Sequence, residues 1–220
     1  MKTEILYGFH SVKEALSAGR RDLIELYVER NHPASPRWQG LLETAEARGV
    51  AVRPLDAAQL TLMAGSAAHQ SVALRASVYP LLDLAGALDE GDPAGSDPVL
   101  VLDQIMDPHN LGAVVRSALC AGVAAVLIPK DRSASPTPAV SRISAGALEH
   151  IRLVQVTNLV RSLDFLKARG RWVAGLDRRN PRDLRGQPAQ PGGASPRRAP
   201  AEGYICVQPA LADSLALLRG

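Results

Sequence analysis

Residues 103–116 carry the side chains most able to do chemistry. They include the carboxylates of Asp103 and Asp107, the amide of Asn110 and the guanidinium of Arg116. The apolar run 99–102 predicts a buried strand, and Asn110 is predicted to be the N-cap of a helix that begins at Leu111. A strand end, a polar loop, a helix start and one arginine suit the binding of an anionic or hydroxylated ligand.

The predicted helix begins with almost no side-chain bulk. Gly112 and Ala113 leave room for a ligand or a backbone to approach closely. Arg116 lies four residues beyond Gly112, which predicts that the two share one helical face. The alternative interpretation is an ordinary capped helix whose arginine is only solvated.

Residues 102–118 resemble the first signature motif of the SpoU (TrmH-type) RNA ribose methyltransferases, which belong to the SPOUT superfamily. The resemblance rests on Asp-Pro-x-Asn-Leu-Gly-Ala followed by a spaced arginine. It continues in other segments and covers about residues 1–177, most like the subgroup that methylates a ribose of large-subunit ribosomal RNA. Those segments are residues 7–16, 49–50, 69–74, 144–150, 156–159 and 175–177.

Helix and strand patterns alternate through most of the chain, which predicts the α/β class and a parallel sheet in the second half. The resemblance implies a small N-terminal RNA-binding domain, residues 1–78, and a SPOUT-like methyltransferase domain, residues 99–177. Residues 79–98 are predicted to be a linker, and residues 178–220 an atypical, irregular tail. The methyltransferase domain is expected to lack a complete trefoil knot.

The resemblance implies a substrate RNA-binding role for four residues of the first domain: His10, His69, Gln70 and Arg75. The alternative is an ordinary small α/β domain with no RNA role, in which the histidines are structural. The family usually has glycine after His-Gln, whereas this chain has Ser71. If the backbone there needs a positive φ, serine is strained.

The reaction implied by the resemblance is methyl transfer from S-adenosylmethionine to a ribose 2′-hydroxyl of ribosomal or transfer RNA. Asn110 and Arg116 are the implied catalytic residues. A guanidinium stays protonated at neutral pH, which makes a literal arginine base awkward. We therefore expect Arg116 to clamp a neighbouring phosphate and orient the 2′-oxygen. Asn110 is expected to order the loop through its cap, and Asp107-Pro108 to fix the exit of the loop.

The last 43 residues depart from the family. The segment 178–200 has five prolines and six arginines without apolar periodicity, and only 204–207 and 211–218 could pack. Neither Glu-Gly-x-Gly nor Ser-Leu-Asn, the motifs that hold the cofactor, is present. Two hypotheses remain: these residues are an out-of-frame reading of a methyltransferase gene, or the chain is an RNA-binding protein without catalysis.

Composition excludes several other classes. The sequence contains no apolar run of about 18 residues, so no membrane span is predicted. The N-terminal residues lack a signal-peptide pattern. Cys120 and Cys206 lack metal-ligand spacing, and Cys120 is predicted to be a core residue. These features favour the cytoplasm. Signatures of dehydrogenases, NTPases and hydrolases are missing. The family implies a homodimer, which the missing motifs put in doubt.

The positive charge lies in the tail. Residues 1–177 hold 18 Lys and Arg against 19 Asp and Glu, whereas residues 178–220 hold 7 against 3. The basic balance of the whole chain is therefore only a weak indication of nucleic-acid binding.

Overall fold

A computed structural model describes residues 2–89, 98–175 and 204–209. The chain divides into two compact units, each with its own sheet. The first unit comprises Met1–Pro80 and Ser135–His150, and the second comprises Leu81–Ala134 and Ile151–Gly220. The predicted α/β class is confirmed.

The first unit contains a mixed four-stranded sheet in the order β1-β4-β2-β3. Strand β4 lies between β1 and β2 and is antiparallel to both, while β3 runs parallel to β2 at the edge. The strands are β1 (Thr3–Tyr7), β2 (Leu23–Glu29), β3 (Ala51–Leu55) and β4 (Val72–Ser77). The sequence analysis assigns no strand to Thr3–Tyr7, and β1 is therefore an addition from the structure.

Helices cover both faces of this sheet. They are α1 (Phe9–Ala18), α2 (Pro36–Ala47) and α3 (Ala57–Ala64). Side chains of α1 and α2 pack with Leu74 and its alternate neighbours on β4, whereas Leu60 of α3 packs with Ala73 on the opposite face. This alternation along β4 follows from the two-residue period of a strand. It gives the small unit a core on each side.

The second unit contains a five-stranded sheet whose strands are all parallel, as predicted, in the order β7-β6-β5-β9-β8. The strands are β5 (Val99–Asp103), β6 (Ala125–Pro129), β7 (Arg152–Val156), β8 (Trp172–Gly175) and β9 (Tyr204–Pro209). The helices numbered with them are α4 (Leu84–Asp89), α5 (Pro108–Cys120), α6 (Pro138–Ile143) and α7 (Leu159–Ala168). Val99 and Val101 of β5 are buried with Leu166 of α7.

The predicted linker 79–98 differs from the structure in its first half. The backbone N–H of Leu82 donates to the carbonyl of Leu153, and Ala87 and Leu88 of α4 are buried. Residues 81–89 therefore pack as part of the second unit, because their apolar side chains fill its core. Residues 90–97 lie outside the described part.

Residues 135–150 pack with the first unit rather than with the strands that flank them in sequence. This segment is not one continuous helix: α6 ends at Ile143, and a separate 3-10 turn covers Ala147–Glu149. Ala145 at φ 54° and Gly146 at φ 85° separate them. Both residues are left-handed, which a continuing α-helix does not allow.

The structure differs from the sequence-based predictions for Cys120 and for part of the C-terminal tail. Cys120 is exposed, so its predicted core position is wrong; it is the last residue of α5, where the chain turns away. The segment 204–207 does form a strand, β9, between β5 and β8. That strand contradicts a uniformly irregular tail, while the segment 211–218 lies outside the described residues.

Candidate functional site

The chain reverses its direction of winding between β5 and β9. From β5 it proceeds through β6 to β7 on one side, then returns on the other side through β8 and β9. In open parallel sheets, ligands bind outside the carboxyl ends of the strands at such a switch point. The loop that leaves β5 therefore occupies the expected position of a binding site. Gln104 in this loop has φ 58°, which is uncommon for a residue with a side chain.

The helix after this loop begins earlier than predicted. Asp107 is the N-cap, and its carboxylate accepts a hydrogen bond of 2.9 Å from the backbone N–H of His109. Pro108 occupies the first helical position, where a missing N–H costs nothing and a fixed φ is favourable. The prediction of Asn110 as the N-cap is therefore wrong, because Asn110 already lies inside the first turn.

The two implied catalytic residues lie on different parts of α5. Arg116 lies six positions beyond Asn110, which places it about 9 Å further along the helix axis and about 120° around that axis. Arg116 is exposed, and nothing in the described part of the chain pairs with its guanidinium. Gly112 and Arg116 lie one turn apart on α5 and so share a face, as predicted, but Gly112 is buried whereas Arg116 is exposed. On this helix the guanidinium of Arg116 is therefore presented to solvent.

A second loop lies against the first. It follows β6 and carries two exposed cations, Lys130 and Arg132, with Arg132 in a left-handed conformation at φ 56°. The backbone N–H of Ala134 donates to the carbonyl of Ile105 at 2.7 Å. This hydrogen bond holds the loops after β5 and β6 together. Lys130, Asp131 and Arg132 are all exposed, so the second loop carries a net positive charge.

The first unit contains a pocket of about 240 Å³. Among the predicted RNA-binding residues, it brings together His10 and Gln70. The sequence analysis missed Arg142, which is also in the lining. The full lining comprises Gly8, His10, Ser11, Gln70, Arg142, Ile143 and Ala145. The signal that could have indicated Arg142 is its position two residues before the family-like segment 144–150.

The structure does not place His69 and Arg75 in that pocket. His69 is buried, its Nδ1 accepts from the backbone N–H of Ser71 at 3.1 Å, and its Nε2 lies 3.0 Å from the hydroxyl of Thr61. Arg75 lies on β4 with its guanidinium 5.6 Å from the ring centroid of Tyr27. Hydrogen bonds within the protein use both ring nitrogens of His69, so the geometry gives it a role in shaping the loop.

Ser71 has φ 64°, as the glycine preference of the family suggested. Its hydroxyl donates to the carboxylate of Glu29 at 2.5 Å, and its backbone carbonyl accepts from the N–H of Glu29 at 2.9 Å. These bonds hold the serine in a conformation that costs about 1–2 kcal/mol for an L-residue.

A buried ion pair stabilises the segments that line the pocket. Arg21 Nε donates to Glu149 Oε2 at 2.6 Å and Nη2 donates to Oε1 at 3.0 Å, and the same guanidinium also contacts Glu4. Ser141 donates to Glu149 at 2.7 Å and is itself hydrogen-bonded to Ser11 at 2.7 Å. This network fixes the segment that carries Arg142.

Burial and charge oppose each other in this network. Burial raises the pKa of the Glu4 carboxyl above its ordinary value, and the nearby guanidinium of Arg21 offsets only part of that effect. Burial alone would lower the pKa of Arg21, but the bonds and charges of Glu149 and Glu4 outweigh it and raise the pKa. Arg21 therefore stays charged.

Other site types find no support in the described residues. Within residues 2–89, 98–175 and 204–209, no group of three or more His, Cys, Asp or Glu side chains is placed to hold a metal ion. None of the helices in the same ranges is long and apolar enough to cross a membrane.

Comparison with known families identifies both halves of the chain. Residues 5–81 match the model for RNA 2′-O ribose methyltransferase substrate binding, and residues 97–194 match the SpoU rRNA Methylase family. The second match continues 17 residues beyond Asp177, where the sequence analysis had placed the end of the resemblance. The pocket residues His10 and Gln70 fall in the first match, and Arg116 and Arg142 fall in the second.

Two curated relatives are 23S rRNA (guanosine-2′-O-)-methyltransferases. That of Ralstonia nicotianae is 41% identical over 186 residues, which cover 83% of this chain and 73% of the relative. That of Acinetobacter baylyi is 39% identical over 170 residues, which cover 76% of this chain and 67% of the relative. The chain thus spans roughly seven tenths of the length of these two relatives.

Solved structures show the same fold. The SpoU methyltransferase AviRb from Streptomyces viridochromogenes, in complex with the cofactor AdoMet, aligns with a TM-score of 0.68 at 18% identity. The alignment covers 92% of this chain and 71% of AviRb. Both family matches, the sequence relatives and this fold agree, and the chain belongs to the SpoU rRNA methylase family of RNA 2′-O-ribose methyltransferases.

Proposed function

We propose that this chain binds large-subunit ribosomal RNA for methylation of a guanosine ribose at its 2′-hydroxyl. The observation that carries the proposal is the free guanidinium of Arg116 on the helix that follows the central strand β5. The choice of a guanosine in large-subunit RNA is supported by the names of the relatives from Ralstonia nicotianae and Acinetobacter baylyi.

Arg116 is assigned a positioning role toward the substrate phosphate. A guanidinium presents a rigid fork of donors that matches two phosphate oxygens and remains charged at neutral pH. A ribose attached to a phosphate held in this way has its 2′-oxygen oriented without any proton leaving Arg116. Orientation of the reacting atoms is the main contribution that a protein can make to an in-line displacement.

Asn110 is assigned a contact with the substrate RNA. It cannot order the loop as an N-cap, because Asp107 already fulfils that function. Its amide lies on the first turn, partly exposed, and offers both a donor and an acceptor close to the carboxyl end of β5. Asp107 and Pro108 fix where this turn begins and so determine where Asn110 stands.

S-adenosylmethionine is the methyl donor of the family, and when bound it supplies an activated methyl group on a sulfonium sulfur. The residues of this chain do not fit the cradle that the family uses for it. Strand β9 ends at Pro209, where the family has a glycine-rich loop. Proline has no backbone N–H to donate, and Ala210 and Leu211, which follow it, are not glycines.

We therefore propose that the C-terminal segment is an out-of-frame reading of a methyltransferase gene and, because the family match continues to residue 194, that the change of frame lies later than Asp177. Sequencing the gene and translating its other two frames tests this hypothesis. A shifted frame that supplies Glu-Gly-x-Gly and Ser-Leu-Asn supports it. If neither frame supplies them, the result favours the second candidate function, which is RNA binding on the same scaffold without catalysis.

A methyl-transfer assay distinguishes the two functions. A 23S rRNA transcript would be incubated with the protein and S-adenosylmethionine labelled in its methyl group, while calorimetry measures cofactor binding and filter retention measures RNA binding. In a form with intact cofactor motifs, R116A should reduce transfer by about 10²- to 10³-fold and leave cofactor affinity nearly unchanged. R161A, which removes an exposed arginine from α7, is the matched control and should retain transfer.

Each result has a distinct meaning. Wild-type transfer by R116A contradicts the role of Arg116. RNA binding by the present chain without cofactor binding or transfer favours the non-catalytic function. Failure to bind RNA contradicts both functions.

Two further features complete the proposal. We propose that the protein works in the cytoplasm, where ribosomal RNA is modified, and that the form with intact motifs is a homodimer as in its family. Light scattering on both forms tests the dimer. A monomeric form with intact motifs contradicts it.

A further inference from the structure

The pocket of the first unit is surrounded by residues in left-handed conformations. Gly8 at φ 88°, Gln70 at φ 51° and Ala145 at φ 54° line it, while Ser71 at φ 64° and Gly146 at φ 85° adjoin the lining. Three separate segments contribute these residues. In the three that are not glycine, Gln70, Ser71 and Ala145, this conformation is strained, and strained backbone clusters at binding sites, where the surrounding structure holds it in place.

The aliphatic part of the Arg142 side chain and its Nε are held in place by neighbouring residues of the pocket. A Cβ at Gly8 would lie 3.4 Å from Arg142 Cγ and 3.6 Å from Cδ, so the glycine keeps space beside the aliphatic chain. Arg142 Nε donates to the carbonyl of Ala68 at 3.2 Å, and the guanidinium carbon lies 5.8 Å from the ring centroid of Tyr7. Among the described residues, nothing accepts a hydrogen bond from its two terminal amino groups.

The other polar groups of the lining suit an anion. His10 is exposed and brings an imidazole, and no carboxylate is part of the lining. The amide oxygen of Gln70 accepts from the backbone N–H of Phe9 at 2.8 Å, which leaves its amide nitrogen as a donor. The pocket therefore offers donors from three side chains around one space.

The volume of the pocket limits the size of its occupant. About 240 Å³ is below the range of roughly 300–1,000 Å³ that is typical for drug-sized ligands. A single phosphate group with part of its sugar fits this description better than a whole cofactor. Arginine is the preferred side chain for two-point recognition of phosphate.

We propose that this pocket holds one backbone phosphate of the substrate RNA. The terminal amino groups of Arg142 grip the phosphate, and His10 and the amide of Gln70 donate beside it. This inference rests on the proposed function, since it assigns to the first unit an RNA contact in addition to that of α5. It assigns an RNA-binding residue to the segment 135–150, outside the part that matches the substrate-binding model.

The test measures RNA binding without S-adenosylmethionine, so that it is independent of methyl transfer. A 3′-fluorescein single-stranded RNA with a 5′-hydroxyl would be titrated by anisotropy at several salt concentrations, with the whole chain as wild type, R142A, R142K and R161A. R142A should weaken binding about tenfold and reduce the salt slope by about one, as expected for one lost phosphate contact. R142K should keep the slope and lose part of the affinity, because it retains the charge but not the fork.

The control and the contrary results separate the possible failures. R161A removes the same charge from the other unit and should change the affinity less than about twofold. Equal affinities of R142A and R161A overturn the inference. A loss in R142A that appears only with a 5′-phosphorylated RNA also overturns it, since the site would then bind a terminal phosphate. If the wild-type chain binds no RNA, the proposed function fails, and this inference fails with it.

Discussion

The two arginines proposed to bind RNA phosphates, Arg142 and Arg116, stand in very different surroundings. Arg142 belongs to a pocket assembled from three segments, above a network in which Arg21 and Glu149 are almost completely buried. Arg116 stands exposed on one helix, and the structure describes no partner for it. The first site is preorganised by the described part of the chain, whereas the second is a single residue on a rigid helix.

The difference shows that the position of a site in the fold determines how far it depends on buried supporting contacts. A pocket on a small unit requires buried support, because the strained residues around it would otherwise relax. A helix at the switch point of a parallel sheet is already fixed by the strand before it. We therefore expect the first site to be sensitive to substitutions in its core and the second to substitutions at the start of α5.

The largest expected effect is the loss of Glu149. E149A leaves the buried guanidinium of Arg21 without its two-point partner but still paired with Glu4, so we expect a cost of about 3 kcal/mol, the lower end of the range for a broken buried pair. Chemical denaturation should show the loss in the fluorescence of Trp38, which lies in the core of the first unit. The chain has one other tryptophan, Trp172 on β8 in the second unit, and removing it by W172F isolates the signal of Trp38.

An exposed ion pair provides the control for this prediction. Arg30 and Asp56 are paired at 3.1 Å with 60% and 65% of their side chains exposed. D56N keeps a capping oxygen and should change the free energy of unfolding by less than about 1 kcal/mol. If E149A and D56N have equal effects, the buried network does not hold the pocket, and the contrast between the two sites is lost.

Sequence periodicity predicts the elements of both units but not the contacts that build the pocket. Val99 and Val101 mark the buried strand β5, and the alternation of strands and helices predicts the parallel sheet. The hydrogen bond between Ser11 and Ser141 joins residues 130 positions apart. No local pattern encodes such a contact, and this is why the docking of 135–150 and the role of Arg142 became visible only in the fold.

The start of α5 shows a second limit. Asp107 and Asn110 are both good N-cap residues, and the sequence analysis chose Asn110. Proline at the first helical position decides in favour of Asp107, because Pro108 lacks an N–H and has a φ suited to that position. Ser71 shows the opposite case, since the glycine preference of the family at this position correctly indicated a left-handed backbone.

The second-largest expected effect is on the free energy of unfolding, and it distinguishes Asp107 from Asn110 as the N-cap of α5. D107A removes the acceptor of the His109 N–H and should cost about 1 kcal/mol, the usual cost of losing an N-cap. N110A should leave the free energy of unfolding within about 0.5 kcal/mol, because Asn110 is not a cap. Denaturation of a W38F background, which leaves Trp172 of the second unit as the reporter, measures both.

A matched asparagine elsewhere in the unit calibrates the measurement. Asn158 is the N-cap of α7, and its side-chain oxygen accepts from the backbone N–H of Arg161 at 3.0 Å. N158A should therefore behave like D107A and cost about 1 kcal/mol. A result in which N110A resembles N158A, and D107A does not, would restore Asn110 as the cap and change the geometry assigned to the site.

The smallest expected effect concerns the strain beside the pocket. S71A and S71G both remove the hydrogen bond to Glu29, but only glycine accepts φ 64° without steric cost. The S71G protein should therefore be more stable than the S71A protein by about 0.5–1 kcal/mol, because the left-handed penalty of about 1–2 kcal/mol is partly cancelled by the greater chain entropy of glycine. Equal stability of the two variants would mean that the loop relaxes when the bond is lost. The pocket would then owe its shape to Glu29 and not to the buried network beneath it.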